Sequence, residues 1–298
     1  MRGIFTIPST PFNEDLSIDI PGFRRIVEFC IKCGAHGLVY PVNASEFTVL
    51  SDDERKQLTK ELVEITAGRI PTVIGVAATS ARNAASFALW AREIGASAVI
   101  AMPPYVRSKN LDADLIRSYY KDIADASKLP IFIQNYPPPI GTDMSTELLA
   151  SLCRDIEYVQ YIKEETFPSP LKIGEILKAG GDACKGVFGG AGCRYIIEEY
   201  RRGTCGNMPG CHVTDVCVSL WNALEKGDDA KAMIIYKEMA PLFFFEAQTA
   251  FTYKETLKRR GIIDFAGSRN DKYKPFDRIS SEYLDEILAA LKPYMTVS

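Results

Sequence analysis

The chain has 298 residues, 47% of them hydrophobic, and a net charge of −3 at pH 7. Positive and negative charges are interspersed, which excludes a nucleic-acid footprint and a polybasic membrane patch. No apolar run reaches the roughly 20 residues of a membrane span, and the amino-terminal segment lacks a signal-peptide pattern. We therefore expect a soluble cytoplasmic protein with a large core, no nucleic-acid or membrane partner, and a small molecule as its ligand.

Short apolar strands alternate with helix-length amphipathic segments between Gly3 and residue 226. This rhythm is typical of parallel strands that are joined by crossover helices. The predicted strands span residues 3–8, 37–42, 71–76, 97–101, 130–135, 158–163, 183–187 and 204–208. Eight β/α units in this length predict a (β/α)8 TIM barrel, and a doubly wound open sheet is the alternative.

The predicted helices between the strands have recognisable ends. The first places Phe23 on an apolar stripe and stops near Gly34. The second opens with Ser51, which forms a capping-box pattern with Glu54. The third helix is predicted to start near Ser80, and the fourth carries Leu115, Ile116, Tyr119 and Ile123 at helical spacing. The other four are predicted over about residues 145–153, 169–179, 191–201 and 214–226.

Beyond residue 226 the strand pattern ends. Further helices are predicted over residues 229–239, 242–260 and 280–291, with Pro241, Gly261 and Pro275 as boundaries. We therefore expect a barrel over residues 1–226 and a C-terminal helical extension over residues 227–298. The extension has only about 70 residues, so we do not expect it to form an independent domain, and we expect it to pack on the barrel.

Cysteine and histidine usage disfavours metal and redox chemistry. The eight cysteines lie mostly inside apolar or helical patterns, which indicates reduced thiols. Cys30 and Cys33 have the spacing of a metal pair, but they close an amphipathic helix and no second pair follows, so we interpret them as packing residues. His36 and His212 are the only histidines, too few for a histidine-built metal site. We expect no metal and no cofactor.

Active sites of (β/α)8 barrels lie at the carboxyl ends of the strands. After the second strand come Asn43, Ala44 and Ser45, which can offer hydroxyl and backbone N–H groups to an anion, although an ordinary polar loop would look the same. The eighth strand carries few side chains, so a ligand could approach its backbone closely near Gly206 and Met208. Other candidates at the strand ends are Tyr105, held by a stiff proline turn, and Gln134.

Lys163 ends the sixth predicted strand, and it has two interpretations. Its stem can lie along apolar surface with the ammonium in water. Alternatively, desolvation lowers the pKa of the amine, so that it attacks a carbonyl and forms a Schiff base. The polar groups at the same rim favour the Schiff base. Glu165 would share a face with Lys163 and Glu164 would point away, because strand side chains alternate; Glu165 could then move protons or merely pair with a cation.

The glycine-rich stretch from Gly189 to Gly192 supports a minority hypothesis. Barrels often bind phosphate with glycine-rich loops near strands seven and eight. A barrel that handles a phosphosugar therefore stays open as an alternative.

Taken together, the strand-end residues match a known family. The matching positions are Gly3, Pro8, Thr10-Pro11-Phe12, Glu46, Pro103, Tyr105, Asn135, Pro137, Ile162-Lys163-Glu164, Gly203 and Gly206. This order resembles the dihydrodipicolinate synthase / N-acetylneuraminate lyase family over essentially the whole chain. The resemblance implies a (β/α)8 barrel, usually a tetramer of tight dimers, in which Lys163 forms a Schiff base with the keto group of a 2-oxo acid. It also implies that Tyr105 reaches a neighbouring subunit's site and that the backbone of Ala44 and Ser45 binds the substrate carboxylate.

Departures from the family pattern indicate a branch. The synthases carry a threonine pair where this chain has Asn43 and Ala44, and a tyrosine where it has Gln134. The carboxylate-binding arginine of the synthases is replaced by prolines. Synthase activity in lysine biosynthesis is therefore disfavoured, and the combination of these residues with Glu165 resembles the L-2-keto-3-deoxyarabonate dehydratase branch.

The expected activity is that of a Schiff-base lyase acting on a 2-keto-3-deoxy sugar acid. Lys163 would condense with the C2 ketone, and Glu165 would remove a C3 proton before the C4 hydroxyl leaves as water. Glu165, Tyr105 or a water would supply the proton to that hydroxyl, while Asn43, Ser45 and Gln134 orient the substrate. A pyruvate-releasing aldolase is the nearest alternative, because it uses the same Schiff base, and a non-catalytic 2-oxo acid sensor is a third.

Overall fold

A computed structural model describes residues 1–104, 111–248, 251–270 and 274–297. Eight parallel strands close into a barrel in chain order, with helices between them, which confirms the (β/α)8 prediction and excludes the open sheet. The strands are β1 (Gly3–Thr6), β2 (Gly37–Tyr40), β3 (Thr72–Gly75), β4 (Ala98–Ala101), β5 (Ile131–Asn135), β6 (Val159–Glu164), β7 (Gly186–Gly189) and β8 (Gly206–Asn207).

Aromatic side chains fill the inside of the barrel. The rings of Phe132 and Tyr161 stack with their centroids 4.6 Å apart, and Phe5 meets Phe188 edge-on at 5.1 Å. These residues belong to one buried cluster with Val39 and other strand residues. Because side chains fill the barrel, a ligand site has room only beyond the strand ends.

Except for the seventh, the helices of the barrel lie where the sequence predicts them. They are α1 (Ile20–Lys32), α2 (Asp52–Thr66), α3 (Ala81–Glu93), α4 (Ala113–Ser127), α5 (Thr146–Asp155), α6 (Ser169–Gly180), α7 (Ile196–Arg201) and α8 (Thr214–Glu225). Ser51 accepts from the Glu54 N–H and the Glu54 side chain accepts from the Ser51 N–H, so the capping box is confirmed.

Two predictions near the seventh strand were wrong. Residues 181–183 form a 3-10 turn, and β7 begins at Gly186 and ends at Gly189. The helix predicted over residues 191–201 begins only at Ile196, because Gly192 and Cys193 have φ angles of 64° and 65°. Left-handed backbone cannot continue a right-handed helix. Together these shifts place Gly189 and the loop after it at the carboxyl end of the barrel.

Pro241 was wrongly predicted to separate two helices. One helix, α9 (Asp229–Gln248), runs through it, and it is followed by α10 (Thr252–Arg259) and α11 (Arg278–Leu291). Met239 and Leu242, on either side of the proline, are buried in the same hydrophobic cluster, and this packing offsets the hydrogen bond that the proline removes.

The C-terminal helices lie against the barrel. Helix α9 contacts both α8 and α11, and Arg260 at the end of α10 forms a buried ion pair with Asp215 of α8 at 2.7 Å. The division of the chain after residue 226 remains a prediction. Within the described part of the chain, no helix is both long and apolar enough to cross a membrane.

Candidate active site

Lys163 lies near the end of β6, beside the carboxylate of Glu165. Its Nζ is 3.1 Å from Glu165 Oε1, and the two side chains are 3% and 10% exposed. The Glu165 N–H donates to the Asn135 carbonyl oxygen at 2.9 Å, so β6 keeps its strand pairing as far as Glu165. The alternation of side chains then explains why these two residues share a face.

Gln134 fixes the second oxygen of Glu165. It is in register with Lys163 on the neighbouring strand, and its Nε2 donates to Glu165 Oε2 at 2.7 Å. Burial raises the pKa of Glu165, and the positive charge of Lys163 and the Gln134 hydrogen bond partly offset this effect. Glu165 is therefore an anchored carboxyl group that accepts a proton more readily than an exposed one.

Glu164 faces the other way, as predicted. It is fully buried and accepts hydrogen bonds from Asn135 Nδ2 at 2.8 Å and from the Thr166 N–H at 2.6 Å. These bonds hold the end of β6 from outside the barrel. Glu164 is thus separated from the face that carries Lys163.

Gly190 is a site residue that the sequence did not identify in this role. A Cβ at this position would lie 2.1 Å from Glu165 Cγ and 2.9 Å from Lys163 Cε. Only glycine leaves room for the Lys163–Glu165 pair at its observed position. The glycine cluster was visible in the sequence, but there it supported only the minority hypothesis of a phosphate-binding loop.

A cavity of about 460 Å³ opens above this pair. Its lining includes five residues predicted for the site: Lys163, Glu165, Asn43, Ala44 and Met208. Gln134 lies behind Glu165, and Tyr105 lies outside the described residues. The predicted catalytic pair and part of the predicted substrate loop therefore meet at one cavity.

Two other predicted site residues, Gly206 and Ser45, do not line the cavity. Gly206 lies within β8 and is not among the lining residues; a Cβ there would lie 1.9 Å from the Gly3 carbonyl oxygen, so the glycine permits β1 and β8 to pair. Ser45 is fully buried, its N–H donates to the Val42 carbonyl oxygen at 2.8 Å, and its Oγ has no hydrogen-bond partner in the described residues. Like Gly206, Ser45 is not among the lining residues of the cavity, although Asn43 and Ala44 of the same loop are.

A second chamber of about 470 Å³ adjoins the first and shares Asn43, Ala44, Ile140 and Tyr253 with it. Here Glu46, which follows Ser45 in the loop after β2, forms an ion pair with the buried Lys254 of α10. Burial lowers the pKa of Lys254, and Glu46 counteracts this effect. The ion pair links the loop after β2 to the C-terminal helices.

The buried carboxyl group of Glu199 anchors the loop after β7 through a hydrogen-bond network. Glu199 contacts Ser169 Oγ at 2.9 Å and Asn207 Nδ2 at 2.8 Å, and Asn207 Oδ1 accepts from the Cys193 N–H at 2.9 Å. Burial raises the pKa of Glu199 to about 7. This network positions the backbone from Gly189 to Cys193 against Lys163 and Glu165.

Four further polar residues line the cavity and were missed by the sequence analysis. They are Tyr136, Arg194, Glu246 and Tyr253. Glu246 and Tyr253 belong to the C-terminal helices, whose approach to the strand ends depends on tertiary packing. No local pattern in the sequence reveals that approach.

The fold and the site define a (β/α)8 barrel protein with a buried lysine and carboxylate facing an open cavity at the carboxyl ends of the strands. Residues 1–293 match the model of the dihydrodipicolinate synthetase family. The chain belongs to this family, whose members are lyases and synthases that work through a Schiff base.

Two relatives with different named activities align over most of this chain. The chain is 32% identical to L-2-keto-3-deoxyarabonate dehydratase of Azospirillum brasilense over 265 residues, which covers 88% of this chain and 85% of that protein. It is 28% identical to 4-hydroxy-tetrahydrodipicolinate synthase of Chelativorans sp. over 294 residues, with 98% and 97% coverage. Both levels of identity agree with family membership.

Solved structures confirm the fold. YagE of Escherichia coli K12, solved in complex with pyruvate, superposes with a TM-score of 0.90 at 24% identity, covering 98% of each chain. A putative dihydrodipicolinate synthetase from Pseudomonas aeruginosa superposes with a TM-score of 0.89 at 23% identity, covering 98% of this chain and 99% of that one.

Proposed function

We propose that this protein is a dehydratase that acts on a 2-keto-3-deoxy sugar acid through a Schiff base on Lys163. The observation that carries the proposal is the 3.1 Å contact between Lys163 Nζ and Glu165 Oε1, with the other Glu165 oxygen held by Gln134. The 32% identity to the Azospirillum dehydratase supports the same reaction type.

Formation of the Schiff base needs an uncharged amine. Glu165 is placed to accept a proton from the Lys163 ammonium, and the freed amine attacks the C2 carbonyl of the substrate. Glu165 then returns the proton to the carbinolamine hydroxyl, which leaves as water, so that an iminium ion forms and Glu165 is again a carboxylate. This ion acidifies the C3–H bond because it can accept the electron pair of that bond.

Dehydration follows from the same pair of residues. Glu165 takes the C3 proton and the electrons form an enamine. The enamine electrons then expel the C4 hydroxyl, which leaves as water after gaining a proton from Glu165, from an ordered water or from Tyr105. Hydrolysis of the remaining iminium releases the dehydrated oxo acid and restores Lys163. A raised pKa suits Glu165 to both directions of proton transfer.

The substrate carboxylate is proposed to bind at the loop after β2. Asn43 and Ala44 line the cavity beside Lys163, and the buried Ser45 follows them in the same loop. We also propose the homotetramer that the family resemblance implies, because the family is generally oligomeric. Light scattering on the purified protein measures its mass and would contradict the tetramer if it gave the mass of one chain.

The experiment is a panel of 2-keto-3-deoxy sugar acids in which the dehydrated semialdehyde and pyruvate are quantified together. The proposal expects semialdehyde and no pyruvate from wild type, and no product from Lys163→Ala. Lys178→Ala is the matched control, because Lys178 is exposed on α6. Pyruvate with an aldehyde would instead establish the aldolase, and binding without any product would establish a sensor.

A further inference from the structure

A second polar cluster lines the cavity above Lys163 and takes no part in the steps described so far. Its members are Arg194, Glu246 and Tyr253. Arg194 follows the glycine-rich loop after β7, whereas Glu246 lies on α9 and Tyr253 lies on α10. The C-terminal extension therefore contributes part of the cavity wall.

Glu246 is held in one orientation. His212 Nε2 lies 2.7 Å from Glu246 Oε1 and donates to it, and the two side chains are only 2% and 6% exposed. The His212 ring also stacks on Tyr253, with the centroids 4.6 Å apart. The other oxygen, Oε2, faces Gly192, where a Cβ would lie 3.8 Å away. A carboxylate fixed through one oxygen has its second oxygen ready to accept from a ligand.

Arg194 and Tyr253 add donors beside this acceptor. Arg194 Nη2 donates to the Phe243 carbonyl oxygen at 3.0 Å, while its Nε is buried and has no hydrogen-bond partner in the described part of the chain. Burial and the charge of Glu246 raise the pKa of Tyr253, so its phenol keeps its proton at neutral pH. Donors and an acceptor around one space are the complement of hydroxyl groups, which both donate and accept.

The balance of charge in the cavity indicates an uncharged ligand end. Lys163 and Arg194 are matched there by Glu165 and Glu246. A phosphate placed near Arg194 would also meet the fixed carboxylate of Glu246, and like charges repel. This arrangement disfavours the phosphosugar hypothesis that the glycine-rich loop suggested.

We propose that Arg194, Glu246 and Tyr253 form a distal subsite that binds the hydroxyl groups at the end of the substrate remote from its keto group. This proposal rests on the proposed function, because Lys163 and the loop after β2 define the near end. It assigns the substrate to the polyhydroxylated, unphosphorylated 2-oxo acids and gives the C-terminal helices a part in selecting it.

Calorimetric titration with unreactive analogues tests the subsite apart from the chemistry. The probes are 3-deoxypentonate and lactate, two 2-hydroxy acids that cannot form an imine and that differ in the hydroxylated end. Glu246→Gln should weaken binding of 3-deoxypentonate about 10- to 100-fold, the range for a hydrogen bond to a charged group, and leave lactate unchanged. Tyr253→Phe should weaken it about 2- to 10-fold.

Glu238→Gln is the matched control, because Glu238 is exposed on the same helix α9, and it should bind both probes as wild type does. Wild-type affinity for 3-deoxypentonate in both subsite variants would overturn the proposal. Equal losses for both probes, or tighter binding of a 5-phosphorylated 3-deoxypentonate, would overturn it as well. The titrations need no Schiff base, so they test the subsite alone. If the proposed function is wrong, the panel of 2-keto-3-deoxy sugar acids will show no turnover, whatever the titrations give.

Discussion

Replacing Gly190 with alanine should disable proton transfer without unfolding the barrel. The added Cβ would lie 2.1 Å from Glu165 Cγ, whereas ordinary contacts between such atoms start near 3.4 Å. Glu165 must therefore move by about 1 Å or more, and its contact of 3.1 Å with Lys163 stretches beyond hydrogen-bond range. A displacement of this size typically costs about 100-fold in rate.

The assay compares kcat for dehydration in wild type, Gly190→Ala and Gly174→Ala. Gly174 is the control because a Cβ there meets only Arg202 Cβ at 4.0 Å. We expect kcat to fall about 100-fold in Gly190→Ala and to stay unchanged in Gly174→Ala, with similar melting temperatures for the three proteins. A wild-type kcat in Gly190→Ala would refute the assignment of Glu165 as the group that transfers the proton.

Three further predictions test neighbouring features. In Glu165→Gln the new amide can still form a hydrogen bond with Gln134, but it cannot act as a base. Dehydration, measured as kcat, should therefore slow by about 100-fold or more. Glu199 has a folded pKa of about 7, above its ordinary 4.5, so the folded state holds an extra proton between these values and the free energy of unfolding should fall as pH rises through that window. The fall should reach about 3 kcal/mol and disappear in Glu199→Gln, measured by urea denaturation at several pH values. Asp215→Ala should leave Arg260 buried without its partner and cost about 3–5 kcal/mol in the free energy of unfolding, whereas Glu282→Ala, at an exposed pair, should leave the denaturation midpoint unchanged.

The sequence predicted the barrel because its signals are local. Strand and helix periods, the capping box at Ser51 and the order of the elements each depend on a few neighbouring residues. Lys163 and Glu165 followed from the same logic, since the sixth strand places them at the rim and the alternation of side chains places them on one face. Their partner Gln134 was named as a candidate, although its bond to Glu165 needed the register of two strands.

The rest of the site depends on contacts between distant segments. Glu246 reaches the cavity because α9 passes unbroken through Pro241 and packs on α8, and no pattern near Glu246 shows this. The role of Gly190 needed the three-dimensional position of Glu165, although the glycine cluster itself was visible. Arg194 was obscured because left-handed backbone at Cys193 delays the start of α7.

The central claim is that Lys163 forms the Schiff base. Borohydride reduction in the presence of pyruvate or a 2-keto-3-deoxy sugar acid, followed by peptide mass mapping, tests it most directly. The account predicts one reduced adduct, located on Lys163 in wild type and in Lys178→Ala, and none in Lys163→Ala. No adduct in wild type, or an adduct on another lysine, would contradict it.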